Sequence, residues 1–460
     1  MWTDWIHWLS SIAPNKLLLI VLPLICFDGV RYCFASVAMC LWDASRALWQ
    51  QSRRVPLPCR EGLGEGFEAS TNVRNLSPRY FSNLASPKER GRPDSYYPDV
   101  CVILAGLNES ETICSTLASV WNSYPRLEII VVDDGSSDGM ADLAHAFAAT
   151  HEKVLVLRKP NRGGKSSALN FAIPFTEAEV VICVDTDSQL EPNAIFEIVQ
   201  PFADPQVGAV AGTVLARNAG VNLLSQLQAS EYLRSIFLGR MLSSRLGILS
   251  IVSGAFGAFR REAMMATGGW DVGPGEDGDL VLRLRKAAWK IVHAPYAQCL
   301  TNVPLTWKQL FRQRRRWEWA IVTFECRKHV DMANIFSPNF RLSNFVMLLE
   351  TWIFRIVLTF ATFIGLGWFA LYDPQMLGYI LLTNYALYCC LELLQWLVLM
   401  YYTPNPRRDG WSLLCLPLVP PYYLFLKVAS LVAIVEEFFW RRSYDDNFVP
   451  VHVRQVTWHW

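Results

Sequence analysis

Glu128-Ile129-Ile130-Val131-Val132-Asp133-Asp134-Gly135-Ser136-Ser137-Asp138 is the stretch that decides the fold. A short β-branched run drives straight into two carboxylates and a glycine turn. Similar apolar runs recur at Val100–Ala105, Val154–Leu157 and Val180–Val184, with helical spacing between them. This alternation predicts an α/β domain with a mostly parallel sheet and helices on both faces. Such sheets bind ligands at the carboxyl ends of their strands, where these acids emerge.

Asp133 and Asp134 could accept hydrogen bonds there from a base N–H or from ribose hydroxyls. The competing reading is an Asp-Gly turn with Asp138 capping the next helix. Val180–Val184 runs into Asp185-Thr186-Asp187. Two carboxylates one residue apart at a strand end can serve one Mg²⁺ or Mn²⁺, which prefers hard oxygen and commonly bridges to substrate phosphates.

Asn161-Arg162-Gly163-Gly164-Lys165-Ser166 looks like a phosphate loop, but the first glycine of that motif is replaced by Lys159, which argues against an ATPase. Its glycines still permit close backbone approach, and Lys165 at a helix start suits a phosphate or a base edge. Gly275-Glu276-Asp277-Gly278-Asp279 opens a further helix. A carboxylate there can act as general base on an acceptor hydroxyl, or merely cap the helix. Finally, Gln313, Arg316 and Trp317 share one helical face. Arginine clamps a diphosphate and tryptophan offers a platform to a sugar ring. Arg312, Arg314 and Arg315 would serve equally as an anchor for anionic lipid headgroups.

The 460 residues are 52% hydrophobic and 18% charged, against about 25% charged in ordinary soluble domains. The missing charge is local, because long apolar runs flank a normal central composition. A net charge of +1 leaves no footprint for nucleic acid. Among 12 cysteines there is no CxxC pair; Cys26, Cys33 and Cys40 recur every seven residues as apolar fillers.

Lys16–Trp42 is long enough to span about 30 Å of hydrocarbon, with Asp28 and Arg31 one turn apart as a candidate ion pair. Arg53 and Arg54 mark its cytoplasmic side. Three more apolar runs follow: Phe345–Tyr372, Met376–Tyr402 and Trp411–Trp440. The last carries Pro417, Pro420 and Pro421 and is flanked by Arg407, Arg408, Arg441 and Arg442, which favours a re-entrant or interfacial element over a clean span. Glu350, Arg355, Glu392, Lys427, Glu436 and Glu437 could line a polymer path or pair with one another. The organisation predicted is a membrane helix over 1–45, a linker over 46–98, the α/β domain over 99–305, an interfacial region over 306–340, membrane helices over 341–440 and a tail over 441–460.

In this order, closed by Gln-x-x-Arg-Trp, the motifs of Asp99–Lys328 resemble the membrane-bound processive members of glycosyltransferase family 2, such as cellulose, chitin, hyaluronan and poly-N-acetylglucosamine synthases. The resemblance implies a GT-A fold with flanking transmembrane and interfacial helices. It implies an integral, multi-pass plasma (inner) membrane enzyme with a cytoplasmic catalytic domain. A UDP-sugar is the implied donor, a polysaccharide or glycolipid the acceptor, and the transfer inverting; an accessory export subunit is a further partner to look for. A non-processive transferase acting on a lipid-linked acceptor is the alternative. By the same resemblance Asp277 is the catalytic base. Asp133, Asp134, Lys165, Asp185, Gln313, Arg316 and Trp317 meet the donor, and Asp185 and Asp187 hold a divalent metal. Gly254, Glu276 and Trp317 meet the acceptor. The family often places Thr or Glu two residues before the base; this chain has Gly275 there.

Overall fold

The computed structural model describes residues 4, 7, 11, 28–53, 95–271, 273, 275–337, 340–445 and 450–456. The expected span over residues 16–27 lies outside these, as do Cys26, most of the linker and the Asp28 and Arg31 side chains. Helix α1 (Asp28–Arg53) runs past Trp42, the expected end of that span.

Eight strands form one sheet: β1 (Val100–Gly106), β2 (Leu127–Asp133), β3 (Val154–Arg158), β4 (Val180–Asp185), β5 (Gln189–Leu190), β6 (Val207–Ala216), β7 (Phe256–Arg260) and β8 (Lys290–Thr301). Their order is β3-β2-β1-β4-β7-β6-β8-β5. The β3-β2-β1-β4 half is parallel, as the alternation predicts. The other half is mixed, because β7 runs antiparallel to both β4 and β6. The side chains of β1 alternate between two buried clusters. Val100, Val102 and Leu104 face one, and Cys101 and Ile103 face the other. A strand buried on both faces reads as a continuous apolar run, hence the opening signal.

Register places the acids. Gly106 of β1 pairs with Asp133 of β2, and Ala105 with Asp185 of β4. The two aspartates therefore flank the end of β1, roughly two strand spacings, or about 10 Å, apart.

Around this edge stand α2 (Lys165–Ala172), α3 (Leu223–Tyr232), α4 (Glu276–Lys286) and α5 (Trp307–Thr323). Among the described residues three helices are long and apolar enough to cross a membrane: α6 (Leu342–Tyr372), α7 (Pro374–Tyr402) and α8 (Pro406–Trp440). Four of the charges within them form ion pairs with the rest of the chain. Glu392 pairs with Arg234, Glu437 with Arg327 at 2.6 Å, Arg355 with Glu318 at 3.5 Å and Glu436 with Arg315 at 3.7 Å. These pairs join the apolar helices to the α/β domain and to the segment that carries α5, the pairing alternative for these four residues.

Candidate active site

The two aspartates after β2 do not face an open cleft. Asp133 is 0% exposed. Its Oδ1 accepts from the Ser136 N–H at 2.9 Å, and Arg158 lies 3.2 Å from Oδ2. Asp134 is 4% exposed and accepts from Lys159 Nζ at 2.7 Å and from the Gly163 and Gly164 N–H groups at 2.9 and 2.7 Å. Asp133 presents no exposed oxygen for the ribose contact expected of it, and the amides of Gly163 and Gly164 point at Asp134. The pair acts as a clamp that sets the turn and the loop. Gly164 sits at φ 84°, a left-handed conformation that glycine adopts without strain.

The clamp delivers Lys165 to the centre of the site. Its ammonium donates to Asp185 Oδ1. Burial alone would lower the lysine's pKa, but Asp185, Glu276 and Asp277 together hold it above its ordinary value. Gly254 lies on the other side. Its N–H donates to Asp277 Oδ2 at 3.1 Å, and a Cβ there would stand 2.8 Å from Lys165 Nζ. Asp185, Lys165, Gly254 and Asp277 thus form one continuous chain of contacts. It joins β4, α2, the turn before β7 and the first turn of α4, although 92 residues of sequence separate the two acids.

At the start of α4 the three acids divide their work. Glu276 is pushed up to about 7, by burial first and by the Asp277 charge second, with Lys165 opposing. Asp277 keeps Oδ1 on the Gly278 N–H at 2.9 Å. Asp279 is structural. It is 1% exposed and bonded to His329 at 2.8 Å, Lys328 at 2.7 Å and Arg283 at 2.8 Å. Gly275 explains the departure from the family pattern. Its φ is 78°, and a Cβ would meet Ala320 Cβ at 2.7 Å and the Phe324 ring at 2.9 Å. Only glycine lets the acid-bearing turn approach α5 so closely.

That contact brings the fifth motif in. Gln313, Arg316 and Trp317 lie on the α5 face that continues through Ala320. The Gln313 Oε1 is buried with no hydrogen-bond partner among the described residues, and Trp317 is 42% exposed. Arg314 is no lipid anchor. It is 9% exposed, holds Glu231 through two bonds of 2.7 and 2.9 Å, and lies 4.4 Å from the Trp317 ring centre. It fixes the platform from beneath.

Two residues at this edge escape sequence reasoning. Glu109 follows β1. Burial raises its carboxyl, with Asp187, Asp185 and Asp138 adding to the rise. The rule that selected Asp133 and Asp185, a carboxylate after a strand end, would have found it. Arg240 lies behind Asp277. Burial lowers it to about 10, against the pull of Asp277 and Tyr232, and its Nη1 has no hydrogen-bond partner among the described residues. No sequence signal marks it, because it sits in the middle of a long helical region.

Asp185 and Asp187 fit a hard divalent cation. Burial and the Asp185 charge raise the Asp187 carboxyl, so negative charge there is not fully matched. Among the described residues no three His, Cys, Asp or Glu side chains gather to hold a metal. The other ligands would be phosphate oxygens and water, as is usual for Mg²⁺.

Residues 98–320 match the family described as "Glycosyltransferase like family 2". The chain is 33% identical over 276 residues to a poly-beta-1,6-N-acetyl-D-glucosamine synthase of Staphylococcus epidermidis, covering 58% of this chain and 65% of the relative. It is 34% identical over 221 residues to the enzyme of that description from Staphylococcus aureus, covering 47% and 53%. The chain thus spans just under two thirds of the first and about half of the second. Among solved structures, a mannosyltransferase from Pyrobaculum calidifontis in complex with GDP-Man and Mn²⁺ superposes with a TM-score of 0.55. The two are 20% identical, over 92% of this chain and 99% of the other, a likeness of fold: GT-A-like, with apolar helices following.

Proposed function

We propose, from the match of residues 98–320 to the family described as "Glycosyltransferase like family 2", that the chain is a membrane-embedded, inverting transferase that extends a β-linked polysaccharide from a UDP-sugar. The observation that carries this reading is the contact chain from Asp185 through Lys165 and Gly254 to Asp277. It joins Asp185 of β4 to Asp277 of α4 through Lys165 and Gly254, and Gly275, two residues before Asp277, packs on Ala320 of the helix that carries Trp317.

Each residue has a separable task. Asp277 accepts the proton of the acceptor hydroxyl while that oxygen bonds to C1 of the donor sugar; the bond from C1 to the UDP oxygen breaks on the opposite face. Lys165 holds the Asp185 carboxylate in place. Arg316 and Gln313 hold the diphosphate and the sugar, and Trp317 stacks under the acceptor end. Asp134 acts indirectly, through the loop it clamps. Asp185 and Asp187 would hold Mg²⁺ or Mn²⁺, which neutralises charge on the departing diphosphate.

The names of the staphylococcal relatives make UDP-N-acetylglucosamine the first donor to try. Membranes containing the chain are supplied with individual radiolabelled UDP-sugars, and products are sized. A ladder or long polymer from one donor supports the proposal. Addition of one sugar per acceptor would replace it with transfer to a lipid-linked acceptor, and no turnover of any UDP-sugar would overturn both.

A further inference from the structure

Arg240 stands in the helical run from Leu223 to Arg245 that begins as α3, and the mechanism above gives it no task. Three ionisable groups face it. Asp277 and Tyr232 pull on its charge against the effect of burial. Burial first and the Arg240 charge second hold the His293 imidazole down at about 3. None of the three accepts a hydrogen bond from Arg240 Nη1, which is buried with no partner among the described residues. Two of them are already engaged. Asp277 Oδ1 takes the Gly278 N–H at 2.9 Å and Oδ2 the Gly254 N–H at 3.1 Å. The His293 ring nitrogens meet Ala211 O at 2.9 Å and Thr213 Oγ1 at 3.3 Å.

A buried guanidinium without a partner is costly, and an apolar side chain of that length would fill the same volume at less cost. Such departures from good packing gather where a ligand completes the set of bonds. The neighbours say which ligand. Asp277 acts on Arg240, whereas Asp185 and Lys165 of the donor side do not. Burial raises the Tyr232 hydroxyl, and both Arg314 and Arg240 oppose the rise. Arg314 in turn lies 4.4 Å from the Trp317 ring centre. Arg240 therefore borders the base and the neighbourhood of the tryptophan platform, where an acceptor belongs.

We propose that Arg240 reads the acceptor: its Nη1 donates to an oxygen of the terminal acceptor sugar, beside the hydroxyl that Asp277 deprotonates, and its charge excludes a chain end that carries an ammonium group. The proposal rests on the transferase reading above. The carboxylates of Asp277 and Asp185 would draw a cation into the site, and an unpartnered guanidinium opposes that pull. A hydroxyl or N-acetyl oxygen can accept from Arg240; a protonated amine can only donate.

The test uses the full chain purified in detergent, as wild type, Arg240→Met and Arg240→Lys, with the donor that turns over. Two acceptors are compared, a β-linked N-acetylglucosamine tetramer and its deacetylated counterpart, at a pH where the free amines are protonated. Wild type should prefer the acetylated tetramer. Arg240→Met should raise the KM for that tetramer by roughly tenfold or more and bring the two acceptors closer together. Its UDP affinity and thermal midpoint should not fall, because the lost charge leaves no partner behind. Arg240→Lys should keep the preference, which follows the charge, and weaken acceptor binding, which follows the guanidinium geometry. Equal use of the two tetramers by wild type, or an unchanged ratio between them in Arg240→Met, overturns the proposal. Loss of folding or of UDP affinity in Arg240→Met would make the arginine structural and overturn it as well. If wild type turns over no UDP-sugar at all, the transferase reading itself falls.

Discussion

The backbone N–H of Gly254 donates to Asp277 Oδ2 at 3.1 Å, fixing the orientation of the carboxylate proposed above as the base. Removing that carboxylate's basicity separates binding from chemistry. Asp277→Asn is expected to lower kcat by about 10²–10⁴-fold, with UDP affinity within a few-fold of wild type. Turnover near the wild-type rate would assign the base elsewhere.

Gly254→Ala probes the same junction from the backbone. The new Cβ would stand 2.8 Å from the tip of Lys165, a flexible group that can move aside. Folding should survive, while donor KM rises as Lys165 leaves Asp185. A melting curve and a KM measured on the same preparation check both halves.

Glu276 sets a pH dependence. Its carboxyl stands at about 7 in the folded chain against an ordinary 4.5. The folded state therefore holds this proton more tightly than the unfolded one. Its contribution to stability is complete below pH 4.5 and is lost as pH rises through 7. Glu276→Gln lacks that loss, so its thermal midpoint should fall less than that of wild type between pH 5 and 8. Parallel curves for the two proteins would contradict the assignment.

Asp134→Ala should act at a distance. It strips partners from Lys159 and from the Gly163 and Gly164 amides. The expected cost is about 2–3 kcal/mol of stability, from lost bonds to a buried charged group. Donor affinity should weaken as Lys165 loses its loop, and calorimetry of UDP binding would show it. Unchanged stability would mean that the clamp is not maintained in solution.

Arg314 and Arg316 should part company. Arg314→Ala leaves Glu231 buried and unpaired, at a cost of about 3–5 kcal/mol, and Arg314→Lys should not rescue the two-bond geometry. Arg316→Ala should keep the fold and lose turnover. Denaturation curves and initial rates on the three variants distinguish the roles; equal destabilisation by both alanines would refute the division.

Much of this was legible in the chain itself. Strands buried on both faces are continuous β-branched runs, so β1 to β4 and the acids at their ends could be read directly. Periodicity placed α4 and α5, and Gln313, Arg316 and Trp317 on a single face. The mixed half of the sheet was not legible, because β7 joins by antiparallel pairing across long stretches of sequence and carries no local mark of its direction. Glu109 was missed although its signal was present, and Arg240 carried none.

By itself the sequence determined the α/β class, the order of the motifs and the apolar helices, since these follow from side-chain hydrophobicity and backbone propensity along neighbouring residues. Only the tertiary structure decided which acids gather at Lys165 and which are clamps, that Gly275 is there to admit α5, and that Glu437 of α8 pairs with Arg327 just beyond α5. Those choices depend on burial and on partners supplied from far along the chain, and a carboxylate's role changes with the groups packed around it.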